Sequence, residues 1–564
     1  EDGSLFLSFD IYNHTPEAID DLVLEINLPE GDIIVDSLVD AEITDEKIIV
    51  AIGSVAGNGG MQKIYLTGKV QTDAEFIVLE DYTLSNGENT ITGQPLYVFT
   101  DTVLPIWALQ GPGFKSPYVS QQVITSGVVT GVFPEIEGFF IQELVTDDNP
   151  ATSSAIFVHT GENVEIPVAV NDMVQVTGTL KEAFQQTSVY LTNPTTDIEN
   201  FGTYTGVITP VPLDPPVDDL KSDIYFETLE GTLVVVPEAV AVAPTNKYGE
   251  FVVVLPEHDV ERLYNGGVNG MGIMADDGTF NSYSDQSDLP FVIATGDIVK
   301  NLVGPLAFTY SNFKIEPLYP PEIIPANNPL PTIVAAGDDQ ISFMSWNVEN
   351  LFDVKDPHPS SPDRPKYKEY HRNLAKVAAT IASAGYPTVV GIQEVENIEI
   401  LMDVAELLAV DGYTYEAVLM EGDDGRGIDV GYLVDTNEVE IVNVTQHPGA
   451  EGLTSRHPLL LEVKPIGADE SIYILNNHFL SMAGGEAATE PRRTAQAAWN
   501  AEIVQSILAE DPDAQIMVMG DLNSYFDSLP ITTLREAGLE HSFDLLEPEA
   551  RYTYIYQGVS QVLD

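Results

Sequence analysis

Five apolar runs between residues 341 and 564 end in polar side chains, and this pattern is the strongest constraint on the fold. The runs are ISFMSWNVEN (341–350), VVGIQEVEN (389–397), IYILNNHFLS (472–481), IMVMGDLNS (516–524) and QVLD (561–564). Continuous apolar runs of this length are typical of central strands that are buried on both faces. We expect the ends of these strands to converge at one edge of a sheet.

Amphipathic segments separate the apolar runs. Residues 368–385 carry apolar side chains at helical spacing and end at a glycine, which predicts a helix. A second helix is predicted through LMDVAELL, after the second apolar run, and a third over residues 492–509. Strands that alternate with helices in this way predict an α+β domain in which packed sheets are flanked by helices.

The polar ends of the runs supply oxygen ligands and one histidine. Asn347, Glu394 and Asp564 form an all-oxygen set that suits Mg2+ or Mn2+, although Glu394 could instead cap a helix or form an ion pair. His478 ends the third run, where a lone histidine is usually structural. Asp521 lies on a turn after the fourth run, where such residues can also simply satisfy the backbone. Together these side chains have the composition of a divalent-metal phosphoester site.

The motifs SWNVEN, GIQEVEN, NNHF, GDLNS and QVLD resemble those of the endonuclease/exonuclease/phosphatase superfamily, which has the DNase I-like fold. The layout of the whole chain resembles the multidomain extracellular nucleases of bacteria that contain an OB-fold domain. The resemblance covers residues 338–564 and, less closely, 104–215. It implies a four-layer α+β sandwich that hydrolyses phosphodiester bonds of DNA, with RNA as a second option, by activated water and without a covalent intermediate.

The resemblance also implies roles for individual residues. His478 contacts the phosphate or the leaving group, Asp521 orients or activates the water, and Asn523 donates a hydrogen bond to the phosphate. The final family motif is an Asp followed by a His, in which the Asp orients the imidazole that acts as base. Because the sequence ends at Asp564, we expect the base to lie downstream and the chain as given to be nearly inactive.

Several further residues are candidates for substrate binding. Arg426 could clamp a phosphate through its two-pronged guanidinium, and Asp429 could join the acidic cluster, or either residue could simply terminate a strand. Asn476 and Arg456 are predicted to contact phosphate or substrate. Arginines are scarce in this chain, so Arg456, Arg492 and Arg493 are candidates to hold a nucleic-acid backbone.

An acidic loop offers a second cation hypothesis. Asp423 and Asp424 could bind Ca2+ in addition to the catalytic metal, although a solvated acidic loop is the simpler interpretation. Ca2+ is therefore kept as a further cofactor beside Mg2+ or Mn2+.

The chain is too long for one core, and its pattern divides it into four parts. Short alternating runs predict an immunoglobulin-like β-sandwich over 1–103 and an OB-fold-like barrel over 104–215. Residues 216–337 are predicted to form a second small β domain and a proline-rich linker, and 338–564 form the catalytic domain. The roles of the β modules are unreadable from the sequence, and a spacer or adhesion role is the simplest one for the first.

Aromatic residues in the predicted barrel could stack on bases. The candidates are Phe139, Phe140, Phe157 and Tyr190, although half of the positions in such strands point into the core. Lys115 and Lys181 are the only lysines or arginines between residues 104 and 215, so little there can follow a phosphate backbone. A structural or partner-binding barrel is the alternative.

The net charge opposes nucleic-acid binding, because 88 Asp and Glu face 23 Lys and Arg and give a formal charge of -65. High salt would screen that charge, since the Debye length falls to about 3 Å at 1 M. We therefore predict a protein secreted by a bacterium in a saline environment, and the alternative is a protein that does not bind nucleic acid. The chain starts at Glu1, so its beginning is expected to be processed or cut. No cysteine is present, which excludes disulfides and thiolate metal sites, and no apolar run is long enough to span a membrane.

Two alternatives to a nuclease stay open. A phosphatase or phospholipid phosphodiesterase could use the same fold, because the fold does not choose the substrate. A noncatalytic surface protein could use the β modules to bind a partner.

Overall fold

A computed structural model describes most of the chain in two compact units. The units comprise residues 1–327 with 557–559, and residues 328–556 with 560–564. The described residues are 3–13, 18–27, 33–36, 41–43, 47–55, 60–70, 76–79, 82–86, 90–92, 96–99, 103–144, 149–283, 285–326, 333, 336–337, 340–355 and 364–564. Among them, no helix is both long enough and apolar enough to cross a lipid bilayer.

The first unit begins with ten strands in antiparallel sheets. Their bounds are β1 Gly3–Asn13, β2 Ile19–Asn27, β3 Ile33–Asp36, β4 Ala41–Ile43, β5 Lys47–Val55, β6 Gly60–Val70, β7 Phe76–Leu79, β8 Tyr82–Ser85, β9 Thr90–Thr92 and β10 Leu96–Phe99. The strand orders are β1-β6-β3, β4-β5-β2-β8-β9 and β10-β7. Leu22, Leu24 and Ile26 alternate along β2 and are buried, so this strand has one core face. The immunoglobulin-like assignment stays a prediction.

A closed five-stranded barrel follows. Its elements and neighbours are α1 Ile106–Gln110, β11 Gln122–Phe133, β12 Gly138–Gln142, β13 Ala155–His159, β14 Asp172–Ala183, β15 Gln186–Tyr190, α2 Pro194–Asp197 and β16 Ile198–Thr203. The strands pair in the order β11-β12-β13-β15-β14, and β14 pairs back to β11. Only β13 and β15 of this ring are parallel to each other.

A second barrel repeats this order. Its elements are β17 Val211–Pro212, α3 Asp219–Glu227, β18 Leu233–Ala243, β19 Phe251–Val254, β20 Leu263–Tyr264, β21 Ile273–Ala275, β22 Ile298–Thr309, β23 Asn312–Ile315 and β24 Glu322–Ile324. The ring is β18-β19-β21-β23-β22 and closes by β22 pairing with β18. Here β21 and β23 are the parallel pair, so the two modules have the same topology.

The aromatic residues predicted to stack on bases lie inside the first unit. Phe139 belongs to the core of the first barrel, while Phe140 and Phe157 cluster with Ala307 of the second barrel. Phe139 and Phe140 are completely buried and Phe157 is 6% exposed, so the base-stacking prediction is wrong for these three rings. Tyr190 is half-buried, with its ring stacked 4.2 Å from that of His159.

The second unit contains two four-stranded sheets and four α-helices among its described residues. Its elements are β25 Phe343–Leu351, α4 Tyr367–Ser383, β26 Val389–Val395, α5 Ile398–Ala409, β27 Tyr415–Leu419, β28 Asp429–Asp435, β29 Val439–Gln446, β30 Leu459–Pro465, β31 Ile472–His478, α6 Glu486–Glu510, β32 Gln515–Asp521, α7 Leu529–Glu536, β33 Tyr554–Tyr556 and β34 Val559–Gln561. The sheet orders are β25-β26-β28-β27 and β29-β30-β31-β32.

These elements stack in four layers. Leu374 of α4 and Val404 of α5 pack on the first sheet, and Tyr432 and Ile474 meet between the two sheets. Ile531 of α7 and residues of α6 cover the second sheet. All residues of β26 and β28 are buried, because a helix layer covers one face of this sheet and the second sheet covers the other. The predicted α+β arrangement of sheets flanked by helices is present.

Candidate active site

The ends of four strands meet at an open cleft of about 1370 Å³ in the second unit. Strands β25 and β26 run parallel in one sheet, and β31 and β32 run parallel in the other. Because parallel strands end at the same edge of a sheet, their last residues are brought together. The cleft is lined by five of the predicted site residues, Asn347, Glu394, Asp521, Asn523 and Asp564.

An amide links the two sheets at the floor of the cleft. Asn347 Nδ2 donates to Asp521 Oδ2 at 2.9 Å, and Asn347 Oδ1 accepts from the backbone N–H of Glu349 at 2.9 Å. Glu394 Oε2 accepts from the backbone N–H of Asn350 at 2.9 Å. The predicted oxygen ligands of the first sheet are therefore fixed by hydrogen bonds from neighbouring groups.

The backbone is strained at the same place. Glu394 has φ +66°, Asn350 has φ +52° and Asn523 has φ +46°, all in the left-handed region that side chains other than glycine rarely occupy. The pairing of β26 with β28 shifts between Gln393 and Val395, so Glu394 bulges from its strand. Such strain is concentrated at functional sites in proteins, where it aims a side chain in a direction that a regular strand does not allow.

His478 lies behind the carboxylates and is 4% exposed. Its Nε2 is 3.6 Å from Glu394 Oε1 and 3.7 Å from Asp521 Oδ2. Burial holds the pKa of His478 well below its ordinary value, and the charges of Arg456 and Arg426 lower this pKa further. The imidazole is therefore neutral at neutral pH and carries one N–H.

The two aspartates of the cleft are also perturbed. Burial raises the pKa of Asp521, and Glu394 adds to this effect, while a hydrogen bond from Asn347 opposes it. Burial and then the charge of Asp521 raise the pKa of Asp564 to about 7. Asn523 donates its backbone N–H to Asp521 Oδ1 at 2.9 Å and its Nδ2 to the carbonyl of Phe479 at 3.3 Å. The cleft therefore concentrates negative charge that a bound cation would stabilise.

Two arginines near the site differ in what they offer. The side chain of Arg426 is 45% exposed, and its Nη1 donates to Asn350 Oδ1 at 3.2 Å and lies 3.9 Å from Glu394 Oε1. Arg456 is buried, with Nη1 bound to Asp424 Oδ2 and Nη2 to the carbonyl of Phe479, both at 2.7 Å. Arg426 can therefore reach a ligand. Arg456 instead donates both of these hydrogen bonds inside the protein, which corrects the assignment of Arg456 as a substrate contact.

The two carboxylates of the acidic loop differ in what they contact. Asp424 accepts from Arg456 and from Ser455 Oγ at 3.1 Å, and Asp423 Oδ2 lies 3.3 Å from His457 Nε2. Protein donors therefore occupy Asp424, whereas the side chain of Asp423 is 85% exposed, and calcium binding at this loop stays a prediction.

Other candidates lie away from the cleft surface. Asn476 is completely buried between the sheets, so it cannot contact substrate there. Asp429 accepts from the backbone N–H of Gly422 at 2.8 Å and is 3% exposed, so it holds a turn. Arg493 is 2% exposed and donates to Thr489 within its own helix. These positions correct the sequence assignments, because each polar group is used inside the protein. Arg492 donates to the carbonyl of Leu453 at 3.2 Å.

Sequence reasoning missed two residues that build the site. Asn350 connects Glu394 to Arg426, and Gln393 lies immediately below Glu394 in the fold, with its amide in the space between the sheets. The tripeptide VEN occurs at 348–350 and again at 395–397, and this repetition could have drawn attention to Asn350. No sequence signal distinguishes Gln393 from other polar residues in apolar runs.

The donor chemistry of the cleft fits a hard divalent cation. Among the residues that the structure describes, no three Asp, Glu or His side chains are already arranged as a metal site. However, the carboxylates of Glu394 and Asp521 converge to within 4 Å of one imidazole nitrogen, with an amide oxygen on Asn347. Mg2+ binds through one or two carboxylates and keeps several waters, so this sparse oxygen set suits it.

Two family models match parts of the chain. Residues 342–541 match the family described as Endonuclease/Exonuclease/phosphatase family, and residues 192–325 match Domain of unknown function (DUF8508). No curated protein matches the chain.

Several solved structures align with part of the chain. TDP2 from C. elegans is 21% identical over 32% of this chain and 48% of that chain, about half its length, with a TM-score of 0.25. The human Nocturnin catalytic domain is 16% identical over 39% and 80%, with a TM-score of 0.30. D. rerio TDP2 complexed with single strand DNA product is 20% identical over 40% and 82%, with a TM-score of 0.27. On the family match and the motifs at the cleft, residues 342–541 of this chain belong to the endonuclease/exonuclease/phosphatase superfamily.

Proposed function

We propose that the second unit is a metal-dependent nuclease that hydrolyses phosphodiester bonds by activated water. The observation that carries this proposal is the convergence of Asn347, Glu394, His478 and Asp521 from two sheets at one open cleft. Members of the superfamily are hydrolases of phosphodiester bonds, and this cleft has the groups that such a reaction requires.

The proposal assigns a metal-binding role to Asn347, Glu394 and Asp564, with Asp521 close by. The ion would be Mg2+ or Mn2+, with Ca2+ as a further option, and when bound it supplies Lewis acidity to the phosphoryl oxygens. Glu394 is held for this role by the N–H of Asn350, which fixes one of its oxygens and leaves the other facing His478.

The remaining side chains act on the phosphate and the water. His478 is neutral and has one N–H, so it can donate to a phosphoryl oxygen or to the leaving alkoxide. Asp521 would orient the attacking water, because its Oδ1 is held by the N–H of Asn523 and its Oδ2 by Asn347. Arg426, at the exposed end of the site, would contact the phosphate from outside.

The proposed substrate is DNA, with RNA as a second option, and the proposed setting is secretion into a saline medium. The charge of -65 is compatible with this substrate only where salt or divalent ions screen it. We also propose that both barrels are OB-folds, because each has five strands in the same closed order. The ligand face of an OB-fold includes its second and third strands. In the first barrel, Phe140 and Phe157 of those strands are buried against the second barrel, which favours a structural role.

The test is cleavage of supercoiled plasmid and of bis(4-nitrophenyl) phosphate by the natural full-length protein, with any residues that follow Asp564 in it. Each substrate is incubated with Mg2+, Mn2+ or Ca2+, or with EDTA, across a salt series. We expect metal-dependent cleavage that falls at least 100-fold in Glu394→Gln and His478→Ala, while Glu440→Gln, on an exposed part of β29, stays active. Hydrolysis of phosphomonoesters or phospholipids without DNA cleavage would overturn the nuclease assignment, and a folded protein inactive on every substrate would overturn the hydrolase assignment.

A further inference from the structure

Two buried amides join the sheets directly beneath the cleft. Gln393 lies in β26 and Asn476 in β31, and both side chains are completely buried. Gln393 Nε2 donates to Asn476 Oδ1 at 2.7 Å. Asn476 Nδ2 then donates to the carbonyl of Ile392 at 3.2 Å and to that of Gly431 at 2.9 Å. Asn476 is thus bonded to two strands of the opposite sheet.

The position of this amide pair along the strands connects it to the site. Gln393 immediately precedes Glu394, which bulges from β26 with φ +66°. Asn476 precedes His478 by two residues, so the two side chains point to the same face of β31. Glu394 and His478 belong to different sheets, and Glu394 Oε1 is 3.6 Å from His478 Nε2. A continuous covalent and hydrogen-bonded route between these catalytic groups passes through Gln393 and Asn476, beneath the link that Asn347 makes to Asp521.

The buried amide pair is less favourable in a core than apolar side chains would be. Gln393 Oε1 is buried and has no hydrogen-bond partner, and an unsatisfied buried oxygen destabilises a fold. Apolar side chains of similar shape would fill the same space without that penalty. What the amides add is direction, because a hydrogen bond fixes distance and angle while apolar contacts permit sliding.

We propose that Gln393 and Asn476 are positioning residues that hold the two halves of the catalytic site in register. This inference deepens the proposed function and rests on it for the activity readout. The amide pair sets the separation between Glu394 on one sheet and His478 on the other without touching substrate or metal. A shift of about 1 Å between catalytic groups is enough to lower a rate roughly 100-fold.

A further link between the sheets, made by Tyr432, provides a matched control. Tyr432 is completely buried, and its hydroxyl lies 2.7 Å from the carbonyl of Leu459 and 2.8 Å from that of Ile474. This link crosses the same interface between the sheets but lies further from the cleft. In the pairing of β26 with β28, Tyr432 is opposite Gly391, whereas Gln393 is opposite Val430. Tyr432→Phe therefore removes buried hydrogen bonds between the sheets without removing those beneath the cleft.

The experiment compares Gln393→Met/Asn476→Leu with Tyr432→Phe in the full-length protein. We expect the double variant to lower kcat for bis(4-nitrophenyl) phosphate roughly 100-fold with KM changed less than threefold, while Tyr432→Phe keeps kcat within threefold. A kcat of the double variant within threefold of the parent would overturn the proposal, as would an equal loss in Tyr432→Phe. If the double variant does not fold, Gln393→Met alone is compared in the same way, because it leaves both bonds from Asn476 to the backbone.

A spectroscopic readout separates this proposal from the proposed function. The nitrogen-coupled NMR signals of the His478 imidazole are recorded without metal or substrate, and we expect them to shift or broaden in Gln393→Met and to stay in place in Tyr432→Phe. If the parent has no hydrolytic activity, the proposed function fails and these signals alone decide the positioning role. Unchanged His478 signals in Gln393→Met would overturn it.

Discussion

Gly520 lies where the pairing of β31 with β32 adjoins the candidate site. It immediately precedes Asp521, has φ +123°, and lies beside β31. A Cβ atom added there would lie 2.0 Å from the carbonyl oxygen of Asn477 and 2.7 Å from its nitrogen. Both atoms belong to the backbone of the neighbouring strand, so a rotamer change cannot relieve the contact.

Gly520→Ala is therefore expected to push β31 and β32 apart. To bring the new contact to 3.0 Å, the two strands must separate by about 1 Å next to His478 and Asp521. The forbidden backbone angle adds about 1–3 kcal/mol, and overpacking of this kind adds about 1–3 kcal/mol more. We predict a loss of about 2–6 kcal/mol in the unfolding free energy of the second unit and a fall of roughly 100-fold in kcat.

The control for this variant is Gly538→Ala. Gly538 has φ +96°, but its added Cβ would have no atom within 4 Å. Only the free-energy cost of the positive φ therefore applies to this variant. Unfolding by urea, followed by far-UV circular dichroism, and hydrolysis of bis(4-nitrophenyl) phosphate are measured for both variants. If Gly520→Ala is no less stable and no less active than Gly538→Ala, the argument that the strand spacing sets the site geometry is wrong.

Three further predictions concern buried charge and backbone strain. Lys314 is completely buried against Glu250 and Asp276, so Lys314→Met should cost about 3–5 kcal/mol at pH 8 in urea unfolding. The loss should shrink at pH 5, because burial raises the pKa of Asp276 to about 6 and the acid is then protonated; an equal loss at both values would contradict this. Burial, and then Glu182, raise the pKa of Glu227 to about 7 from 4.5, so the parent should lose on the order of 2 kcal/mol between pH 4.5 and 7 relative to Glu227→Gln. Parallel pH profiles would refute that prediction. Asn350 has φ +52°, so Asn350→Ala should be about 1 kcal/mol less stable than Asn350→Gly in the same assay, and equal stability would show that the backbone angle is not limiting.

The alternation of apolar runs with amphipathic segments was enough to predict the layered α+β domain. The run VVGIQEVEN became β26, and the segment that follows it became α5, because the local period of apolar side chains decides which element can bury them. The same runs carry Asn347 at the middle of β25 and Glu394 and Asp521 at the ends of β26 and β32, and tertiary pairing then brought the three residues to one cleft. For these residues, a position in the polar tip of an apolar run correctly predicted a place in the cleft.

The pattern failed where two residues of the same type follow similar runs. Asn347 and Asn476 each follow four residues of an apolar strand, yet Asn347 lines the cleft and Asn476 is buried between the sheets. The scarce arginines divide in the same way, since Arg426 is exposed at the site and Arg493 is buried in a helix. Scarcity carries no information about the direction of a side chain.

What the sequence determined by itself was the kind of each element and the chemical character of its ends. Local periodicity depends only on neighbours along the chain, so a single chain reveals it. Only the tertiary structure decided which polar group faces the cleft and which spans the core, and that two barrels of one topology bury Phe140 and Phe157 between them. The physical reason is that burial depends on what packs against a face, and those partners lie far away in sequence.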